Sequence, residues 1–194
     1  LDATHLGLMW QRARARLPFP IQLSQFNLLG SHDVSRIRTA LNNDLAHLKL
    51  AITALFTYIG VPCIYYGDEV GLEGDNDPDC RRTFPWNESD WNEGLLNHYK
   101  KLILLRKTSN ALQEGGFLSL YATGDVYAYA RILKHQSVIT VLNRGEATTV
   151  NLLVWKTGNR KSFTSYFDGQ EIQVIDDGLE LTIPAKSSLV LVST

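Results

Sequence analysis

Two polar stretches carry the side chains best suited to chemistry. Ser31, His32 and Asp33 directly follow an apolar run that ends in Gly30, and a longer polar segment, 68–86, follows a second run that ends in Gly67. An imidazole beside a carboxylate, held at the end of a strand, supplies a donor and an acceptor of the kind that orients a sugar hydroxyl. The same residues also fit a plainer role, in which Asp33 or Ser35 caps the next segment and His32 is incidental. In the second stretch Asp75, Asp77 and Asp79 alternate and open like a calcium loop. The pattern then fails: the sixth position is Cys80 in place of Gly, Pro78 stiffens the loop, and the twelfth is Trp86 in place of Glu. An EF-hand is excluded, and a looser cation site is left open.

The elements around these stretches are legible from periodicity. Leu45, Leu48, Ile52, Leu55, Phe56 and Ile59 recur at helical spacing, Asn43 is the expected N-cap, and Gly60 with Pro62 stops the run, so a helix is expected over 43–59. Short apolar runs at 23–29 and 63–66 read as buried strands. A second helix is expected over 90–108, opened by an Asp90–Glu93 capping pair and faced by Leu95, Tyr99, Leu102 and Ile103. Strand, helix, strand, helix is the rhythm of parallel βα units, which place function at the C-terminal ends of their strands. After Gly115-Gly116 the rhythm changes to strand candidates at 126–133, 137–142, 148–154, 162–167, 179–183 and 188–192, separated by turn residues, and an antiparallel β-sandwich is expected.

Composition narrows the classes of function. With 19 basic against 20 acidic residues the chain lacks the positive field that nucleic acid requires, and no apolar run is long enough for a bilayer. Cys63 and Cys80 are too few for a disulfide scaffold and read as buried or half-buried free thiols of a reducing compartment. Leu1 is not a methionine, and the opening stretch reads as the interior of a helix without a clean N-cap or signal-peptide layout, so the chain is expected to be a fragment of a longer protein.

The strings NLLGSHDVSR at 27–36 and GVPCIYYGDEVGLEGDNDPDCRRTFPW at 60–86 resemble the end of the catalytic barrel of the α-amylase family, glycoside hydrolase family 13. The run from Asp77 to Arg81 is similar to the branch of cyclomaltodextrinases, neopullulanases and maltodextrin glucosidases. The string CRRTFPW at 80–86, with Leu104, Leu105, Arg106 and Lys107 in the next helix and a glycine-rich entry to a β domain after it, most resembles the last of these. The resemblance implies the C-terminal part of a (β/α)8 TIM barrel over 1–115, with strands seven and eight at 25–30 and 63–67, and a C-terminal β-sandwich domain over 116–194. It implies retaining hydrolysis of α-1,4-glucosidic bonds of maltodextrins in the cytoplasm by two carboxyl groups about 5 to 5.5 Å apart. Those two belong to strands four and five, outside this chain.

What the resemblance leaves here is the transition-state stabiliser, Asp33, with its neighbour His32, both on the glucose at subsite −1, and Asp77 and Arg81 on the glucose at subsite −2. Plainer readings stand beside these: an Asp77–Arg81 salt bridge stiffening a loop, Arg36 pairing with a carboxylate or a loop end, Tyr66, Asp68 and Glu69 closing the barrel, and Phe84 and Trp86 anchoring a loop instead of stacking on sugar. No cofactor or metal is implied. The expected partners are an oligosaccharide substrate and either the remainder of the same protein or a second copy, because two strands cannot close a barrel and leave apolar sheet edges exposed. A cyclomaltodextrinase or neopullulanase, and a noncatalytic amylase-like binding or assembly protein, are the alternatives.

Overall fold

The computed structural model describes residues 2–193. Helices α1 (Ala3–Ala15) and α2 (Phe19–Ser24) lead into strand β1 (Phe26–Leu28). One helical turn, α3 (Ile37–Ala40), precedes α4 (Leu45–Thr57), which returns the chain to β2 (Val61–Cys63). The two strands pair in parallel, with Phe26 opposite Val61 and Leu28 opposite Cys63, so the unit is a βαβ crossover. The second strand begins two residues earlier than its apolar run suggested. Residues 64–66 run on beyond the last pair, Leu28 with Cys63, and among the described residues no strand pairs with them.

Local chemistry sets the helix limits. Asp44 caps α4 by accepting from the main-chain N–H groups of Ala46 and His47, at 3.0 and 3.2 Å, while Asn42 and Asn43 take left-handed conformations in the turn before it. The expected cap at Asn43 is therefore one residue early. At the other end, two arginines donate to the helix's free carbonyls: Arg106 to Phe56 and Tyr58 at 3.1 and 2.9 Å, and Arg131 to Tyr58 at 2.9 Å. Cations suit this end of the helix dipole. Helix α1 does have an N-cap: the Asp2 carboxylate accepts from the His5 N–H at 2.9 Å, which corrects the reading of that stretch as a helix interior.

After β2 a long irregular segment with three 3-10 turns runs to α5 (Glu93–Thr108) and α6 (Asn110–Glu114). Helix α5 is capped by Asn92, whose side chain accepts from the Leu95 N–H at 2.9 Å; Asp90, the expected cap, ends a 3-10 turn instead.

The rest of the chain is β3 (Gly116–Thr123), β4 (Val126–Leu133), β5 (Gln136–Asn143), β6 (Thr148–Leu153), β7 (Ser162–Ser165), β8 (Glu171–Gln173), β9 (Gly178–Ile183) and β10 (Ser187–Ser193). A six-stranded antiparallel sheet runs β3-β4-β5-β10-β7-β8, and β6 and β9 form a second, two-stranded sheet. Val126, Ala128, Ala130, Ile139 and Val141 of the large sheet pack with Val150, Leu152, Leu179, Leu181 and Ile183 of the small one. The other face of the large sheet is covered as well: Tyr127, Tyr129 and Leu142 meet Ala3, Trp10 and Leu50, and Val138 and Val190 join a core with Leu48, Ile52, Tyr99 and Leu112. The alternation at 126–133 thus separates two cores and not a core from solvent. Among the described residues no helix is long and apolar enough to cross a membrane. Together these parts make the C-terminal portion of a (β/α)8 barrel followed by a β-sandwich.

Candidate functional site

The loops that leave β1 and β2 emerge at the C-terminal ends of two parallel strands, the side on which such sheets present chemistry. In the first loop the ring nitrogen Nε2 of His32 lies 3.1 Å from Oδ1 of Asp33, and the two side chains are 60% and 70% exposed. The Asp33 N–H donates to Oγ of Ser31 at 3.2 Å, which fixes the turn that presents the carboxylate. In the second loop Nε of Arg81 lies 2.6 Å from Oδ1 of Asp77, with both side chains about half exposed. The next pair down the loop is equally committed: Arg82 forks onto both oxygens of Asp79, at 2.8 and 2.7 Å, and holds that carboxyl below the usual range. Two of the three alternating aspartates, Asp77 and Asp79, are therefore matched to arginines, and among the described residues no group of three or more His, Cys, Asp or Glu could hold a metal ion.

The two loops are stitched together. Ser35 Oγ donates to Asn76 Oδ1 at 2.9 Å, the Arg36 N–H donates to the Gly74 carbonyl at 2.9 Å, and the Cys80 thiol donates to the His32 carbonyl at 3.1 Å. Beneath them Arg36 and Asp68 form a buried ion pair at 3.1 Å. Arg36 thus does both things expected of it, pairing with a carboxylate and holding loop ends. Burial pushes the Asp68 carboxyl up to about 6, a rise that the adjacent Arg36 guanidinium only partly offsets. Glycine makes the approach feasible at two points. Gly67 turns the chain with φ of 85°, and a Cβ on Gly30 would meet Asp68 Oδ2 at 3.0 Å.

Aromatic residues line the same loop. Phe84 lies edge-on between Trp86 and Trp91, at 5.0 and 5.9 Å between centroids, and Trp91 Nε1 donates to the Pro85 carbonyl at 2.6 Å. Phe84 is an anchor, whereas Trp86 is 83% exposed. Tyr66 donates its hydroxyl to the Arg82 carbonyl at 2.9 Å. Asp68 is buried and faces the protein interior.

The profile of the alpha-amylase catalytic domain matches residues 7–115. This chain belongs to the α-amylase family. Over 128 residues, 66% of this chain and 22% of the relative, it is 48% identical to a cyclomaltodextrinase of Thermoanaerobacter pseudethanolicus. It is 40% identical to neopullulanase 2 of Thermoactinomyces vulgaris over 183 residues, 92% of this chain and 31% of that protein. Among solved structures, the debranching enzyme from Nostoc punctiforme superposes with a TM-score of 0.87 at 36% identity, covering all of this chain and 40% of that one. The chain thus spans between a fifth and two fifths of the length of these relatives.

An apolar cavity of about 320 Å³ lies between α1, α4 and the sandwich, lined by Leu6, Trp10, Leu50 and Tyr127, away from His32 and Asp33. A pocket over the mouth of a barrel is walled by loops from several strands, and two strands supply only part of that wall. None of His32, Asp33, Asp77 and Arg81 lines the apolar cavity.

Proposed function

We propose that this chain is the C-terminal part of a retaining glycoside hydrolase that cleaves α-1,4-glucosidic bonds of maltodextrins, an α-glucosidase of the maltodextrin glucosidase type. The division between barrel and sandwich falls at 115–116 in this reading. The nucleophile and general acid, a carboxyl pair about 5 to 5.5 Å apart, lie outside the chain. Asp33 and His32 hold the 2- and 3-hydroxyls of the glucose whose anomeric carbon becomes cationic, and Asp77 and Arg81 hold the next glucose. The free thiols Cys63 and Cys80 fit a reducing, cytoplasmic setting.

The observation that carries the reading is the exposed His32–Asp33 pair at the C-terminal end of β1, on a loop hydrogen-bonded to the loop that carries the Asp77–Arg81 pair. A carboxylate in that place gains as the sugar ring acquires positive charge, because a charge-assisted hydrogen bond in a closed site is worth roughly 1.5 to 3 kcal/mol. At 1.36 kcal/mol per decade, Asp33→Asn in the whole enzyme is expected to lower kcat on maltotriose by about ten- to two-hundredfold. Near-normal turnover by that variant would remove Asp33 from the reaction.

The names of the 48% and 40% identical relatives favour a second reading, a cyclomaltodextrinase or neopullulanase. Rates of the whole enzyme on maltotriose, a cyclodextrin and pullulan separate the two: the glucosidase reading requires maltotriose to be hydrolysed fastest.

A further inference from the structure

The His32–Asp33 and Asp77–Arg81 pairs stand on loops from different strands, so the sheet alone does not set the distance between them. Arg36 reaches across. It is fully buried, and it donates through Nε to the Cys80 carbonyl at 2.8 Å and through Nη1 to Asp68 Oδ1 at 3.1 Å and to the Tyr66 carbonyl. Its guanidinium lies 4.0 Å from the centre of the Tyr65 ring and 4.5 Å from that of Tyr66, which fixes its plane. Cys80 is fully buried too and answers in the opposite direction, its thiol donating to the His32 carbonyl at 3.1 Å. So a side chain three residues after Asp33 grips the carbonyl just before Arg81, and a side chain just before Arg81 grips the carbonyl just before Asp33. Two attachments of opposite direction suppress both sliding and hinging between the loops. A guanidinium can do this because its donors are fixed in one plane, whereas an ammonium offers a single point.

We propose that Arg36 and Cys80 are a positioning pair that sets the spacing between the two polar pairs, so that the enzyme reads two consecutive glucosyl units as one rigid ligand. This rests on the assignment of those pairs to adjacent sugar subsites. A substrate with one glucosyl unit on the non-reducing side of the scissile bond gains nothing from the fixed spacing. One with two such units binds to a site already in register, without the cost of ordering it.

The test compares kcat/KM of the whole enzyme on p-nitrophenyl α-glucoside and p-nitrophenyl α-maltoside, following release of nitrophenol. Arg36→Lys is expected to lower the maltoside value about tenfold more than the glucoside value, and Asp77→Ala is expected to cost less in the Arg36→Lys background than alone, as coupled sites do. Cys80→Ala, which deletes one weak donor, is expected to move the same ratio about threefold, with Cys80→Ser restoring it. Equal losses on both substrates, or none, in folded Arg36→Lys would overturn the proposal. Should that variant fail to fold by circular dichroism, an unchanged ratio in Cys80→Ala overturns it. Full activity of Asp33→Asn on both substrates would instead sink the subsite assignment itself.

Discussion

The two β regions of this chain treat their apolar residues in opposite ways. In the sandwich, Ile139, Val141, Phe163 and Leu191 are wholly buried between layers that the chain itself supplies. In the parallel pair, Phe26, Leu28 and Val61 are 65%, 46% and 45% exposed. Both sets are of strand-forming type, so side-chain preference does not separate them. Neighbours do: a sheet of six strands backed on both faces closes its core, whereas two strands of three residues each cannot. The candidate site hangs from the weaker region, and what holds it is the polar stitching between loops, with Arg36 and Cys80 at its centre.

That contrast can be broken or sharpened by substitution. The largest effect is expected from Phe163→Ala, which opens a cavity in the closed core and should cost about 3 to 5 kcal/mol in urea unfolding. A loss below about 1 kcal/mol would mean the sandwich is not the stable body. Next comes Arg131→Met. The guanidinium donates to the Tyr58 and Gly115 carbonyls at 2.9 and 2.8 Å and so ties the sandwich to the end of α4. Its burial lowers its pKa to about 9. Leaving carbonyls unpaired destabilises, while removing a poorly solvated cation offsets part of that, so a net loss of about 2 kcal/mol is expected from the same measurement.

A smaller effect distinguishes the site region by pH. The Asp68 carboxyl titrates at about 6 in the folded chain against 3.8 when unfolded, so the folded state binds the extra proton between those values. Its contribution is therefore most favourable below about pH 4 and declines as pH rises through 6. The unfolding free energy of the wild type, taken relative to Asp68→Asn, should fall from about pH 4 to about pH 6 and level off above that range. A difference that rises over the interval would reverse the assignment. The smallest change is expected from Leu28→Lys, within about 0.5 kcal/mol for the isolated chain, since nearly half of the residue already meets water and a lysine can carry its charge outward. The same substitution should reduce any self-association seen by sedimentation, because a charge on an open apolar sheet blocks pairing.

Much of this was open to reading in the residues. The spacing of Leu48, Ile52 and Leu55 announced α4, and the alternation and turn residues of the last third marked β4, β5, β6, β7, β9 and β10 close to their observed limits. Strand β3 escaped because Leu118, Ser119, Leu120 and Tyr121 carry a bulge that breaks the alternation, and β8 because three residues are too few to show a period. Caps were misplaced by one or two residues, at Asn43 for Asp44 and at Asp90 for Asn92, since a run of polar residues offers several candidates and only the chain's path selects one. At the site, His32 and Asp33 are adjacent and stand out by residue type at a strand end, whereas Asp77 and Arg81, four residues apart, were singled out through the resemblance to the family and not by their spacing.

By itself the sequence determined the local chemistry: which segments coil or extend, where glycines permit a turn, and which acids have a base within reach along the chain. Only the tertiary structure decided that Arg36 would meet Asp68 and Cys80, 32 and 44 residues away, and that both faces of β4 would be covered. Short-range order follows from backbone sterics and side-chain type. Contacts between distant residues are chosen by which surfaces come together when the layers pack, and that choice belongs to the whole chain at once.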